Sequence, residues 1–544
     1  MPLVADRIVQ LLQREGVEFV VGFPENRLLN SASLLGMRPI IARTERVAVN
    51  IADGFARATN GDRLAPCVMQ YGPGAEAAFG AVAQAFGDRS PILLLPGEHA
   101  NNVLGSTVGV RSEEIYRPIT RFAATLRDAA HGPGVFRQAL NALYGVRDGP
   151  VLVAIANDVL NGDAGEADWN LPPQRRHLSE ASSSDIEETV SALRSAKSPV
   201  IVAGQGVLYG DACDELVQLA ERTGTPVATT LNGKSAFPES HPLSLGTAAR
   251  TRPAAVDELF ARADLILGIG TSFTRSLYIT PMPSQATLGQ IVNDPRDLGT
   301  GYDVSFACVG DVKLVLGQLL GELGSTDAVV DDSALVEAIA ASHAAFIDQW
   351  RPRLTSEASP ISPYRVVWEL MHAVDRTRTV VTHDAGHPRD QISPFWQSLV
   401  PRGYLGWGKS TQLGTGLGLT MGARLARPDR LCINIMGDAA FGMVGMDFET
   451  AVRCRIPILT VVLNNGLMGG YTEWMPDAVE RHSANLLGGS FAELARALGG
   501  HAERVERASD LRGGIERCVA SVESGRASLL EVMTCEEQSI AGEH

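Results

Sequence analysis

The sequence predicts an α/β chain of three doubly wound parallel-sheet domains, and three observations lead there. At 544 residues the chain exceeds what one core organises, since domains usually hold about 100 to 200 residues. Short β-branched runs alternate with helical patterns, the signature of parallel strands with helices on both faces. Two polar stretches, Asn157 to Asp185 and Leu323 to Ser333, interrupt that rhythm with Asn-Gly, Pro-Pro, Ser-rich and Asp-Asp sequences that favour loops. They divide the chain into units at 1–165, 185–325 and 335–544.

Met1 to Glu15 reads as an amphipathic helix, and Phe19 to Phe23 is the first strand. Further strands are expected at Ile92 to Pro96, Val151 to Ile155, Val200 to Ala203, Leu265 to Ile269, Thr379 to Thr382, Cys432 to Met436 and Ile458 to Leu463. No short-period repeat appears, but the first and third units read as variants of one doubly wound plan.

Composition narrows the function. A net charge of −15 without a Lys/Arg-rich run disfavours a nucleic-acid partner. No apolar run reaches the roughly 18 residues of a membrane span, and the start lacks the basic and apolar regions of a signal peptide, so a cytoplasmic protein is expected. The 7 cysteines are scattered without a CxxC pair, which gives neither a disulfide framework nor a zinc site.

The strongest chemical signal is Met436-Gly437-Asp438-Ala439-Ala440, followed by Asn464-Asn465-Gly466. One strand delivers Asp438 to its carboxyl end and the next delivers Asn465 to the same edge, where ligands of open α/β sheets bind. Met446 to Arg453 has helical spacing, so the whole reads as a β-α-β unit. A carboxylate, an amide oxygen and the carbonyl of Leu467 make a hard oxygen set suited to Mg²⁺. Taken alone, the same residues also read as a helix cap and a loop.

A second signal is Ala42-Arg-Thr-Glu45-Arg46. Thr44 caps a helix running through Arg57, with Val47, Ile51 and Phe55 on a buried stripe. Glu45 then stands in the first turn, where it serves either as a dipole-compensating charge or as a proton-transfer group. A third signal is Thr411-Gln-Leu413-Gly-Thr-Gly-Leu-Gly418, whose glycine density before a helix implies close backbone approach.

Together these segments resemble the thiamine diphosphate enzyme family, whose motifs include Gly-Asp-Gly…Asn-Asn and a glutamate-bearing helix. The resemblance implies that Asp438, Asn465 and the Leu467 carbonyl hold Mg²⁺ against the cofactor diphosphate. Gly437, Ala439, Ala440, Met468, Gly386 and His387 would complete the diphosphate cradle. Thr411 and Leu413 would hold the pyrimidine, with Leu413 propping the cofactor into a bent shape. Pro24 and Gly72 would close the site from the first unit, and Glu45 would be the acid/base that protonates the aminopyrimidine. Ala439 and Ala440 depart from the family's Gly and Ser.

The same resemblance implies a site shared between subunits of a homodimer or homotetramer, and a central domain that in relatives carries FAD, ADP, coenzyme A or nothing. Val202 to Gly210 resembles a dinucleotide loop without the Gly-x-Gly-x-x-Gly spacing. The implied activity is making or breaking a carbon–carbon bond next to a carbonyl, on a 2-oxo acid, an aldehyde or ketone, or an acyl-coenzyme A. Gly442 to Glu449 and Gly270 to Arg275 look most like 2-hydroxyacyl-coenzyme A lyase and oxalyl-coenzyme A decarboxylase relatives. An acetolactate synthase-like carboligase is the alternative, although Val110 to Glu114 replaces the segment where that family has a glutamine. A catalytically silent relative is the third reading, suggested by Ala439 and Ala440. Glu25, Glu98, Glu473 and Arg111 read as solvated charges near the entrance.

Overall fold

The computed structural model describes residues 2–106, 109–146, 148–324 and 333–542. Most of the polar stretch placed between the second and third units, residues 325–332, lies outside the described residues.

Runs such as Val151 to Ile155 are apolar at every position because their strands are buried on both faces. All six residues of Val151–Ala156 are buried. The first sheet comprises β1 (Phe19–Phe23), β2 (Arg38–Ile41), β3 (Cys67–Met69), β4 (Leu93–Glu98), β5 (Phe122–Leu126) and β6 (Val151–Ala156), in the order β2-β1-β3-β4-β6-β5. The second holds β7 (Pro199–Ala203), β8 (Val227–Thr229), β9 (Ser244–Thr247), β10 (Leu265–Ile269), β11 (Thr287–Val292) and β12 (Phe306–Val309), ordered β12-β11-β10-β7-β8-β9. The third holds β13 (Thr379–His383), β14 (Tyr404–Leu405), β15 (Leu431–Gly437), β16 (Leu459–Asn464), β17 (His501–Val505) and β18 (Ser528–Met533), ordered β14-β13-β15-β16-β18-β17. The strand pairings within each sheet are parallel.

Each sheet divides its apolar side chains between two layers. Val20, Leu93 and Leu95 face the amphipathic helix Val4–Arg14 through Ile8 and Leu12. Val21 and Leu94 face the opposite way, toward the helix Glu45–Ala58. That second layer does not end at the domain: Ile51 and Phe55 share one core with Leu417, Met421, Met436 and Phe441 of the third unit.

The contact is made by two helices, Glu45–Ala58 and Thr415–Ala426, that approach backbone to backbone. A Cβ at Gly54 would stand 2.6 Å from the Leu419 Cα, and one at Gly422 would stand 2.5 Å from the Phe55 nitrogen. This close approach explains the glycine-dense third motif. The crossover after β15 differs from the single helix expected there. It runs as Asp438–Val444, a tight turn Gly445–Asp447, then Phe448–Arg453, and at the turn the Asp447 carboxylate accepts the Arg43 N–H and the Thr44 hydroxyl, at 2.7 and 2.8 Å.

Candidate cofactor site

In the third sheet β15 ends at Gly437 and β16 at Asn464, side by side, so the Asp438 and Asn465 loops meet at the carboxyl edge. Asp438 is buried, and its carboxylate accepts the Ala439 and Gly466 N–H groups, each at 2.8 Å. Burial raises the Asp438 pKa, opposed by those backbone donors. Gly466 takes a φ of +70°, which turns the chain so that the Asn465 Oδ1 accepts the Leu467 N–H at 2.9 Å. The other asparagine has a structural role: Asn464 donates to the buried Glu531 at 2.7 Å.

The loop after β13 joins the same edge. Gly386 has a φ of +81° with open space where a Cβ would stand, and His387 packs against Gly469 in the loop beyond Met468. Pro388 lies 3.8 Å from the Cβ position of Gly437. Gly386, His387, Gly437, Asp438, Asn465, Leu467 and Met468 therefore line one rim. Ala439 is half-buried and Ala440 buried there. Among the described residues no group of three or more His, Cys, Asp or Glu side chains is arranged to hold a metal. A cation at this rim would be held by one carboxylate with amide, carbonyl and phosphate oxygens, which fits Mg²⁺ and would relieve the cost of burying Asp438.

Thr411 and Leu413 lie in the loop between β14 and the helix Thr415–Ala426. Thr411 has a φ of +56°, uncommon for a β-branched residue. Asp384, fully buried at the end of β13, accepts the N–H groups of Gly414 and Gly416 at 2.8 and 2.9 Å. Burial pushes its pKa up to about 6 against those donors. Sequence reasoning took Gly386 and His387 from this segment and missed Asp384. The available signal was an acid placed just after the expected strand Thr379 to Thr382.

Glu45 begins its helix as expected, with Thr44 accepting the Val47 N–H at 3.3 Å. It is 9% exposed, and a carboxylate oxygen lies 2.9 Å from the Cβ position of Gly74. Burial raises the Glu45 pKa, its own backbone N–H opposes this, and the nearby Asp447 raises it further. Pro24 and Gly72 occupy the loops after β1 and β3, at the carboxyl edge of the first sheet, with Gly72 at a φ of +62°. The chain thus gathers two groups: the rim around Asp438, and the Glu45 helix beside the Leu413 loop.

Two expectations are corrected. Glu98 is 2% exposed rather than solvated, because its carboxylate accepts the His99 and Ser112 N–H groups at 2.9 and 3.2 Å. Glu25 is half-buried and caps the helix Asn26–Leu34 through the Leu28 N–H at 2.7 Å. Arg111 does read as a surface charge, exposed and paired with Glu114.

In the central unit the glycines of Val202 to Gly210 serve backbone packing: Gly204 N–H donates to Ile269 and Gly206 N–H to Gly270, at 2.8 and 3.0 Å. Beside them lies a cleft of about 370 Å³ whose lining includes Arg89, Arg275, Lys409, Thr271 and Ser272, and no acidic side chain.

Fold and site together define a cofactor enzyme with three parallel-sheet α/β domains. Three models of one family match successive stretches: the thiamine pyrophosphate enzyme N-terminal TPP binding domain at residues 3–115, the central domain at 186–319, and the C-terminal TPP binding domain at 384–532. The chain belongs to the thiamine diphosphate-dependent enzyme family, among its carboligases and transferases. It is 28% identical to a probable acetolactate synthase large subunit of Methanocaldococcus jannaschii, over 95% of this chain and 90% of that protein. It is 26% identical to the acetolactate synthase large subunit of Haemophilus influenzae, over 91% and 88%. It is 27% identical to the sulfoacetaldehyde acetyltransferase of Alcaligenes xylosoxydans xylosoxydans, over 98% and 93%. No helix among the described residues is long and apolar enough to cross a membrane.

Proposed function

We propose that the chain is a thiamine diphosphate- and Mg²⁺-dependent carboligase that takes a 2-oxo acid donor and an aldehyde, ketone or second 2-oxo acid as acceptor. The observation that carries this reading is the convergence of Asp438 and Asn465 on one sheet edge, in a chain where Glu45 is buried at a helix start with a raised pKa. When bound, thiamine diphosphate supplies a nucleophilic carbon and an electron sink for the bond next to the carbonyl. Asp438, Asn465 and the Leu467 carbonyl would hold Mg²⁺. Gly386, His387, Gly437, Ala439, Ala440 and Met468 would flank the diphosphate. Thr411 and Leu413 would receive the pyrimidine, with Pro24 and Gly72 closing the opposite wall.

Glu45 would hold the proton exchanged with the aminopyrimidine. Burial favours its protonated form, which brings the carboxyl nearer the neutral range where proton exchange is efficient. The functional units are 1–165, 185–325 and 335–544, each containing one of the sheets. We place the working site between subunits of a cytoplasmic homodimer or homotetramer.

Relatives named acetolactate synthase favour the 2-oxo acid donor over the 2-hydroxyacyl-coenzyme A lyase reading suggested by Gly442 to Glu449 and Gly270 to Arg275. One observation keeps the lyase reading as second: the cleft beside the Val202 to Gly210 loop is lined by Arg275 and the hydroxyls of Thr271, Ser272 and Thr274, with Arg89 at its edge held by Asp297, and such donors suit a phosphate of coenzyme A, ADP or FAD. Product analysis separates the two. The holoenzyme is supplied with pyruvate and other 2-oxo acids, or with 2-hydroxyacyl-coenzyme A thioesters. Release of CO₂ with a hydroxyketone product is expected from the first pool. Aldehyde release from the thioesters alone would establish the lyase, and turnover of neither pool by cofactor-loaded protein would contradict both.

A further inference from the structure

The loop from Gly408 to Gly416 follows the two-residue strand β14, so its first N–H groups have no ladder to join. An N–H leaving regular structure in a buried place needs another acceptor. Asp384 supplies it at the far end, for Gly414 and Gly416. At the near end the acceptors come from another domain. The helix Pro73–Gly87 and its C-cap Asp88 present Gly80, Gln84 and Asp88 at i, i+4 and i+8, which is one stripe along the helix.

Every position of that stripe meets the loop. At Gly80 the space for a Cβ is filled by the Gln412 side chain. The Gln84 Oε1 accepts the Gln412 N–H at 3.4 Å. Asp88 accepts the N–H groups of Gly408 and Lys409 at 3.4 and 3.3 Å. Gln84 also donates to Asp88, so the two act as one unit. Asp88, fully buried, further accepts Arg57 Nη2 at 3.1 Å from the Glu45 helix and Asn232 Nδ2 at 2.9 Å from the central domain.

Adhesion between the first and third units needs no such carboxylate, since the same units already meet through the dry glycine contacts of Gly54 and Gly422. The polar stripe stands instead where the loop must be shaped. Within that loop Thr411 keeps its φ of +56°, a conformation that persists where the surroundings over-determine it.

We propose that Gly80, Gln84 and Asp88 form a positioning element that fixes the loop from Gly408 to Leu413 in the shape that receives the pyrimidine end of thiamine diphosphate. This rests on the functional reading above. Gln84 and Asp88 act through the loop, so their loss should weaken cofactor binding before it changes substrate binding.

The test uses full-length Gln84→Leu and Asp88→Asn proteins. Calorimetry gives the Kd for thiamine diphosphate in the presence of Mg²⁺, kinetics at saturating cofactor give kcat and KM, and thermal melting of the cofactor-free protein reports the fold. Each variant is expected to raise the cofactor Kd by about fivefold or more, the worth of one hydrogen bond that shapes the loop, with KM near the native value. Gln84→Leu leaves the Arg57–Asp88–Asn232 contacts in place and decides the matter alone if Asp88→Asn does not fold. A Kd within about twofold of native, with or without a lower melting temperature, would overturn the inference while native cofactor binding leaves the functional reading standing. A native chain that binds no thiamine diphosphate would overturn both.

Discussion

The first and third sheets repeat one strand order, with the second strand at the edge, then the first, third, fourth, sixth and fifth, yet they carry opposite halves of the site. After the second strand, the first sheet places Glu45 at the start of a helix, and the third places Thr411 and Leu413 before the helix that packs against it. After the third strand stand Gly72 in one and Asp438 in the other. The fourth strand ends on Glu98 in one and is followed by Asn465 in the other. On the function proposed above, equivalent positions would hold an acid/base where the other domain holds an apolar prop, and a bare turn where the other would hold a metal ligand. One backbone plan fixes where side chains arrive, and on this proposal the side-chain chemistry would decide which end of a long cofactor each domain meets.

The comparison breaks most severely at Glu45. Glu45→Gln keeps the shape and removes the proton, so turnover should fall by roughly two or more orders of magnitude, the size typical of a lost general acid/base. Steady-state kinetics with unchanged thermal melting would check it, and an unaltered rate would leave the two domains chemically equivalent.

The next effect is on the shared core. Gly422→Val would drive a side chain into the backbone at Phe55, and overpacking of this kind costs about 1 to 3 kcal/mol or more. A clear drop in the denaturation midpoint is expected. A native-like midpoint would mean that the two equivalent helices do not depend on their close approach.

A smaller effect concerns His383, fully buried at the end of β13 and stacked on Trp407 with ring centroids 5.1 Å apart. Burial and then Arg389 push its pKa down to about 3. The unfolded chain takes up this proton below about pH 6.5 and the native chain does not, so stability is lost as pH falls from about 6.5 toward about 3. Relative to native protein, His383→Gln should therefore gain stability on acidification, by up to about 2 kcal/mol near pH 5. Melting both proteins across this range gives the difference, and a pH-independent difference would contradict the assignment. The smallest effect is expected from Ala440→Ser, which restores the family hydroxyl. One added hydrogen bond is worth about 1 kcal/mol, so cofactor affinity should rise by about fivefold or less. A loss of affinity would show that buried Ala440 has been repacked around the missing oxygen.

Much of the fold was legible because buried parallel strands are apolar at every position. Val151 to Ile155 and Leu265 to Ile269 announce themselves in this way, and Cys432 to Met436 does so apart from the buried Asn434. The edge strands did not: β2 starts with Arg38-Pro39, and β14 is only Tyr404–Leu405. The Asp438 and Asn465 pair and Glu45 were legible as spaced motifs. Asp384, Asp447, Gln84 and Asp88 were not, because each acts by accepting N–H groups from segments between 30 and 404 residues away, a partnership that local spacing does not encode. Glu98 was misread for the same reason, since its acceptor role depends on Ser112 being folded back onto β4.

Calorimetric titration of thiamine diphosphate into native and Asp438→Ala proteins, with and without Mg²⁺, tests the central claim most directly. The account predicts Mg²⁺-dependent binding to the native chain that Asp438→Ala abolishes. Equal binding by both proteins, or native binding indifferent to Mg²⁺, would contradict it.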